Sequence, residues 1–418
     1  MTKEDIVKAA FKAWGREHYR TTSLSQIARE LGVSKPALYR HFKDKDALLE
    51  EMYSTYFDNF SDFIRESYEK AVAMENKHEG GLLIMRTLAE YYMRNREAFT
   101  FSLVKVYSVK EAGKIRKEFF ARGLNLELLS GRKKECSGFP SIFHLIMVTL
   151  IFSIAQFHKR NEANKVSPSE EMIKQTVADI ETHVMKGLRL NAGIAVSLDY
   201  DRLERQAAET KPREQGDSGL LLAVAAAVAE AGPLDVSMEM VAQRSGLSKS
   251  GLYAHFKNKK DMLGKLFIKE FSGIISSAKM QVEASVVPEE QLYLGIISVA
   301  NYLRSRPELL MSMEWLKTRR LNMLNIKKEA IVKLESLIRC FNQEIIMKQD
   351  SQFLLWIAQW ILFMIIGILA WGPAAKTETG PINNPIMWAK KAVEIPNESF
   401  RVLFRFAALG LEGFTCEQ

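Results

Sequence analysis

Cysteine is scarce in this sequence. Cys136, Cys340 and Cys416 are far apart and odd in number. They exclude a disulfide framework and a paired CxxC metal site, and they fit a reducing compartment, the cytosol. Proline is also scarce, with 11 residues in 418, and there are 23 glycines, so the chain is neither collagen-like nor proline-rich and disordered. The opening MTKEDIVKAAFKAWGREHYR carries charge throughout and has no apolar run of signal-peptide length. Enzyme signatures are missing as well. No HExxH, GxGxxG, Walker loop or GxSxG occurs, and the seven histidines are scattered. The reading is therefore of a non-enzyme with no catalytic residue, no metal set and no cofactor.

What is present is globular in composition, at 47% hydrophobic and 26% charged residues, and 418 residues are enough for two domains. The net charge of +8 is modest, but it is concentrated. Residues 29–45 hold five cations against two acids, and residues 244–260 hold five cations and no acid. Such local basic excess suits a nucleic-acid partner.

The two basic stretches are copies of each other. SKPALYRHFKDK (34–45) returns as SKSGLYAHFKNK (248–259), 214 residues later. The same offset pairs Ala28 with Ala242, Gly32 with Gly246 and His41 with His255. Further on, YMRNR (92–96) matches YLRSR (302–306), and the apolar run 139–157 matches 353–371. KGL (186–188) matches LGL (409–411) at a larger offset of 223, which places about nine extra residues near the turn-rich segment 372–391. The expected organisation is a head at 1–50, a helical body at 51–195, a linker at 196–217, a second head at 218–264 and a second body at 265–418, with a short helix in the linker before Pro212.

Each head spells a helix-turn-helix. Ser23 and Gln26 form a capping box ahead of Leu24, Ile27, Ala28 and Leu31, which share one helix face. Gly32 stands where a left-handed turn closes the helix, Ser34 caps a second short helix, and Pro36 sits in its first turn, where the missing N–H costs nothing. In the copy, Gly246 is the turn and Ser248 the cap, but the capping-box Gln is absent and Gly251 lies inside the short helix. In this motif the N-terminal residues of the second helix reach base edges in the major groove, while neighbouring cations meet phosphates. The tips are Lys35, Pro36 and Ala37 in one head and Lys249, Ser250 and Gly251 in the other. Lysine can donate to guanine O6 and N7, and alanine can meet a thymine methyl. The backbone-contact candidates are Tyr39, Arg40, His41, Lys43 and Lys45, with Tyr253, His255, Lys257 and Lys259 in the copy. Leu38, Phe42, Leu252 and Phe256 read as core.

The stretches IARELGVSKPALYRHFKDKDALL (27–49) and VAQRSGLSKSGLYAHFKNKKDML (241–263) resemble the tetracycline-repressor (TetR) family of bacterial transcriptional regulators. The resemblance covers about 55 residues of each half. It implies an all-α fold in which a three-helix DNA-binding head precedes a helical ligand-binding and dimerisation body, here twice in one chain. It further implies base-reading positions at Ser25, Lys35 and Ala37, with Glu239, Lys249 and Gly251 in the second copy. Glu239 departs from expectation, since an acid there repels phosphate unless it accepts from a cytosine amino group. The tandem arrangement also departs from the family's usual single unit. It implies a cytoplasmic, ligand-responsive repressor acting as an internal pseudo-dimer on double-stranded DNA with two unlike half-sites, and it leaves room for further homodimerisation.

A membrane-associated helical protein is the rival reading. Residues 139–157 and 353–371 are uncharged for nineteen residues each, about enough to span a bilayer. The shared repeat position favours burial of the two runs against each other, with the terminal helices completing a four-helix interface. The effector is not named by the sequence. Tyr91, Tyr92, Phe99, Phe101 and Tyr107 in one body, and Tyr302, Trp315, Trp356 and Trp360 in the other, suit either a pocket lining or ordinary core.

Overall fold

A computed structural model describes residues 2–16, 23–103, 112–125, 140, 142–209, 219–306, 351–375 and 394–417. Among them the regular elements are helices, and no strand occurs. In chain order they are α1 (Lys3–Arg16), α2 (Leu24–Glu30), α3 (Lys35–Tyr39), α4 (Lys45–Ala73), α5 (Lys77–Arg94), α6 (Arg96–Phe101), α7 (Ala112–Ala121), α8 (Ile142–Asn164) and α9 (Glu170–Lys186). There follow α10 (Ala192–Val196), α11 (Tyr200–Glu209), α12 (Gly219–Asp235), α13 (Met238–Ser245), α14 (Lys249–His255), α15 (Lys259–Val282), α16 (Pro288–Arg304), α17 (Ser351–Ala375) and α18 (Glu398–Leu409), closed by a 3₁₀ turn at Gly410–Glu417. The all-α class and the tandem repetition expected from the sequence are both present. Cys136, Cys340, Tyr107, Trp315 and most of the insertion near 372–391 lie outside the described residues.

By packing, the chain forms two compact units, one built within 1–137 and 153–181 and the other within 138–152, 182–317 and 321–418. The first unit centres on aromatics. Tyr56, Phe57, Phe60, Tyr91, Tyr92, Phe99, Phe101 and Phe119 are all buried, and their rings meet at about 5–6 Å, mostly edge-on or tilted, with Tyr56 stacked on Phe60. Buried phenols need partners, and the Tyr56 and Tyr92 hydroxyls meet at 2.7 Å. His158 donates from Nε2 to the Tyr92 carbonyl at 2.8 Å, and burial holds its pKa below the usual imidazole value. Tyr91, Tyr92, Phe99 and Phe101 are thus core here, as are Tyr302 and Trp360 in the second unit.

In the second unit the start of α8 lies against α17. Phe152 meets Trp356 at 5.6 Å and Phe363 at 5.5 Å. The Trp360 indole N–H donates to the Thr149 hydroxyl at 3.0 Å, which in turn donates to the Leu145 carbonyl at 2.8 Å. By length and composition α8 could cross a membrane, but 61% of its most apolar window is buried within the protein.

The ends of α9 and α18 cross nearby. Gly187 and Gly410 occupy the matching KGL and LGL positions, and both have positive φ, at 52° and 64°. A Cβ on Gly187 would stand 2.6 Å from the Ala407 carbonyl oxygen, and one on Gly410 would overlap the Met185 carbonyl. Beside the crossing, the Leu188 N–H donates to Ala407 O at 2.8 Å and the Leu190 N–H to Ala408 O at 3.1 Å.

Helices α10 and α11 fall around the stretch read as a linker, and α11 supplies the short helix expected there. It is docked rather than loose. Leu203 and Ala207 are buried, and Glu204 accepts from Tyr293 OH (2.6 Å), Arg401 Nε (2.8 Å) and Asn397 Nδ2 (2.8 Å).

Candidate nucleic-acid interface

Both heads build the same turn from the same local chemistry. Ser23 accepts from the Gln26 N–H at 3.2 Å while the Gln26 side chain accepts from the Ser23 N–H at 2.6 Å, so both halves of the capping box form. In the second head Ser237 accepts from the Met240 N–H at 3.1 Å, the half-box that a methionine allows. Helix α2 ends at Gly32 with φ 66°, and α13 ends at Gly246 with φ 68°. The amide after each glycine bonds five residues back, Val33 to Ala28 at 2.9 Å and Leu247 to Ala242 at 3.1 Å. This is the left-handed helix stop that favours glycine. Ser34 then caps α3 through the Ala37 N–H at 3.3 Å, and Ser248 caps α14 through the Gly251 N–H at 3.0 Å.

Beneath the turns, Leu24, Ile27, Ala28, Leu38, Phe42 and Leu48 are buried in the first head. Val224, Val228, Val241, Leu252, Phe256 and Met262 form the corresponding core of the second. Burying these residues fixes what faces outward. Lys35, Pro36, Tyr39, Arg40, His41 and Lys43 are exposed, and Ser25, Ala37 and Lys45 are half-buried. In the second head Glu239, Lys249, Ser250, Tyr253, His255 and Lys257 are exposed, and Gly251 and Lys259 are half-buried. Tyr39 is 43% exposed and Tyr253 48%, so both rings face outward beside the tips.

The tips differ in electrostatics. The Lys35 ammonium lies 5.7 Å from the Tyr39 ring centroid, a cation–π contact. The Lys249 ammonium instead lies 3.9 Å from the Glu239 carboxylate. Ser248 and Ser250 share a hydroxyl contact at 3.0 Å. Arg244 is ion-paired with Glu230.

The entry to the long helix behind each tip also differs. Asp44 caps α4 through the Ala47 N–H at 2.7 Å, whereas neutral Asn258 caps α15 through the Asp261 N–H at 3.0 Å. Partial burial pushes the Lys45 pKa down. Asp261 is held below the usual carboxylate range, first by the Lys257 backbone N–H at 3.1 Å and then by Lys265. Lys265 also donates to the His255 carbonyl at 2.8 Å, bracing the end of α14.

Two contributors were not singled out from the sequence. Lys260 is exposed in the first turn of α15, at the repeat position of Asp46, so comparing the repeats charge by charge would have found it. Lys265 is visible only once the fold brings it back to His255. No group of three or more His, Cys, Asp or Glu placed to hold a metal occurs among the described residues.

Comparison with known proteins agrees with this geometry. The family model for bacterial regulatory proteins, tetR family, matches residues 6–52 and again 221–266. The uncharacterised HTH-type transcriptional regulator YhgD of Bacillus subtilis (strain 168) is 23% identical over 198 residues, which cover 45% of this chain and 97% of that protein. The uncharacterised HTH-type transcriptional regulator YerO of the same organism is 43% identical over 47 residues, 11% of this chain and 16% of its own. The HTH-type transcriptional regulator AcrR of Shigella flexneri is 32% identical over 69 residues, 16% of this chain and 32% of its own. The last two likenesses span less than a third of the relatives. Two segments 215 residues apart at their starts, each holding the capped helices and the glycine turn, match one DNA-binding family. This chain carries two tetR-family helix-turn-helix domains in tandem.

Proposed function

We propose that this protein is a cytoplasmic, sequence-specific transcriptional regulator that binds duplex DNA through both heads, as a covalent pseudo-dimer. The observation that carries the reading is the duplicated tip, with cap, glycine turn and exposed lysine rebuilt in each head on a separate core. Ser25, Lys35, Pro36 and Ala37 read bases in one half-site, and Glu239, Lys249, Ser250 and Gly251 read the other. Tyr39, Arg40, His41, Lys43, Lys45, Tyr253, His255, Lys257 and Lys259 meet the backbone. The tips differ, so the operator consists of two unlike half-sites, centred about 34–36 Å apart or a multiple of that. The crossing of α9 and α18 at Gly187 and Gly410 supports an internal pairing of the repeats in place of two chains. Repression that responds to a small molecule follows the pattern implied by the family.

Binding-site selection from random duplexes, with affinity followed against salt, tests the reading. Affinity should fall steeply with salt as counterions are released, and Lys45→Ala or Lys259→Ala should each flatten the log–log slope by about one. A palindromic selected site, or affinity that does not depend on salt, refutes it.

A further inference from the structure

The second head carries an acid where a phosphate-seeking surface should have none. Glu239 stands in the first turn of α13, is exposed, and corresponds to Ser25 in the first head. The second head's short helix and its exit, residues 248–260, are more basic than the matching 34–46, because Asn258 replaces Asp44 and Lys260 replaces Asp46. The extra cations raise attraction to any duplex, whatever its sequence. The acid works in the opposite direction, and it is placed beside the one cation at the reading tip, Lys249, at 3.9 Å. In the first head the matching ammonium of Lys35 lies over the Tyr39 ring instead.

Resting on the reading that both heads dock in the major groove, we propose that Glu239 and Lys249 act as one unit that selects a C·G pair and rejects other sequences. Within that pair, cytosine presents the N4 amino group, a donor, and guanine presents O6 and N7, both acceptors. A carboxylate and an ammonium held side by side offer the complementary acceptor and donor. Glu239 accepts from cytosine N4 and Lys249 donates to guanine. At guanine or thymine the carboxylate meets an acceptor or a methyl group and gains nothing for the water it loses; at adenine it can accept from N6, but N7 beside it repels it, and the thymine opposite offers Lys249 one acceptor, O4, in place of guanine's two. Between reading events it repels phosphate. The basic flank therefore supplies attraction, while the tip withholds it except at the right pair. The first head has no such filter, since Ser25 and Lys35 together can only add donors or a weak hydroxyl contact.

The test uses the full-length chain and site selection from random duplexes, for wild type, Glu239→Ser and Glu239→Gln. Both substitutions are at an exposed side chain, so the fold should survive. Wild type should select C·G at one position of one half-site and discriminate against other pairs there by roughly 5- to 150-fold. Glu239→Ser, which copies the first head, should abolish that preference, strengthen binding to unselected DNA and steepen the salt slope by about one. Glu239→Gln should move the preference towards A·T, because a carboxamide pairs with adenine N6 and N7. Unchanged selection in both variants overturns the pairing proposal while leaving DNA binding itself intact. Absence of salt-dependent binding by the wild type would instead refute the underlying function.

Discussion

Gly187→Ala tests the proposed pairing of the two repeats where the ends of α9 and α18 approach. The substitution meets two obstacles. The backbone has φ 52°, where an L-residue with a Cβ pays about 1–2 kcal/mol. The new methyl would also lie 2.6 Å from the Ala407 carbonyl oxygen and 2.6 Å from the Gly410 nitrogen, so backbone must move, and overpacking of this kind costs about 1–3 kcal/mol. Together these give a loss of roughly 2–5 kcal/mol, or a fall in Tm of roughly 4–20 °C for a unit of this size. Gly246→Ala is the matched control. Its φ is 68°, but nothing stands within 4 Å of its Cβ position, so it should lose only the dihedral part, about 1–2 kcal/mol. Thermal and urea unfolding of the three full-length proteins measure the difference. Equal losses in the two variants would refute the crossing as a close backbone contact and remove the main structural support for an internal pseudo-dimer.

Gly251→Ala should stabilise the second head by about 0.5–1 kcal/mol, since the first head already holds Ala37 at this place and the only close neighbour of a Cβ is the Ser248 hydroxyl at 3.3 Å; a fall in the urea midpoint would count against it. Glu204→Ala removes an acceptor shared by Tyr293, Arg401 and Asn397 and should cost about 2–3 kcal/mol, with faster amide exchange across 200–209; unchanged exchange there would show that α11 is held by its apolar face alone. His183 is buried against Trp356 and Trp360, and burial pushes its pKa down to about 4. The unfolded chain takes up that proton near 6.5 and the folded chain only near 4, so its contribution is intact above pH 6.5 and falls away as pH drops towards 4, by about 3 kcal/mol in all. The slope of stability against pH in this window should shrink in His183→Phe, and an unchanged slope would mean that the imidazole is not what titrates.

The heads were legible in the sequence because their determinants are local. Ser23 and Gln26, Ser34, Ser248 and the glycines at 32 and 246 act on amides no more than five residues away, and spacing alone places them. The packing of the apolar runs could be anticipated only in outline. Two uncharged segments at one repeat position suggest a shared interface, but nothing in them says that the Trp360 indole finds the Thr149 hydroxyl. The docking of α11 was out of reach for a similar reason. Its polar partners, Tyr293, Asn397 and Arg401, lie 89–197 residues away in the chain, and each looks like an ordinary surface residue until the fold assembles them.

A chain written twice offers a comparison that a single copy does not. Where the two copies agree, a physical reason can be sought in the fold, and often found. Gly32 and Gly246 agree because both turns need positive φ, and Leu38 and Leu252 agree because both are fully buried. Tyr39 and Tyr253 agree although both rings face water, as the proposed backbone contacts would need. Disagreement is informative too. Tyr56 meets Tyr92 through paired hydroxyls in one body, while at the corresponding place in the other the Tyr302 hydroxyl donates to the buried Glu270 at 3.0 Å, with Arg306 at 3.5 Å. A neutral pair has become a charged one at the same depth, on the long helix that leads out of the head. A buried charge is costly unless it is paired, and Arg306, at the repeat position of Arg96, supplies the partner. The heads therefore agree in how they are built and differ at the tip, and the bodies differ in the chemistry at their centres. Divergence of both kinds within one chain is what the proposed unlike half-sites would require, whereas a duplication kept only for stability would not need it.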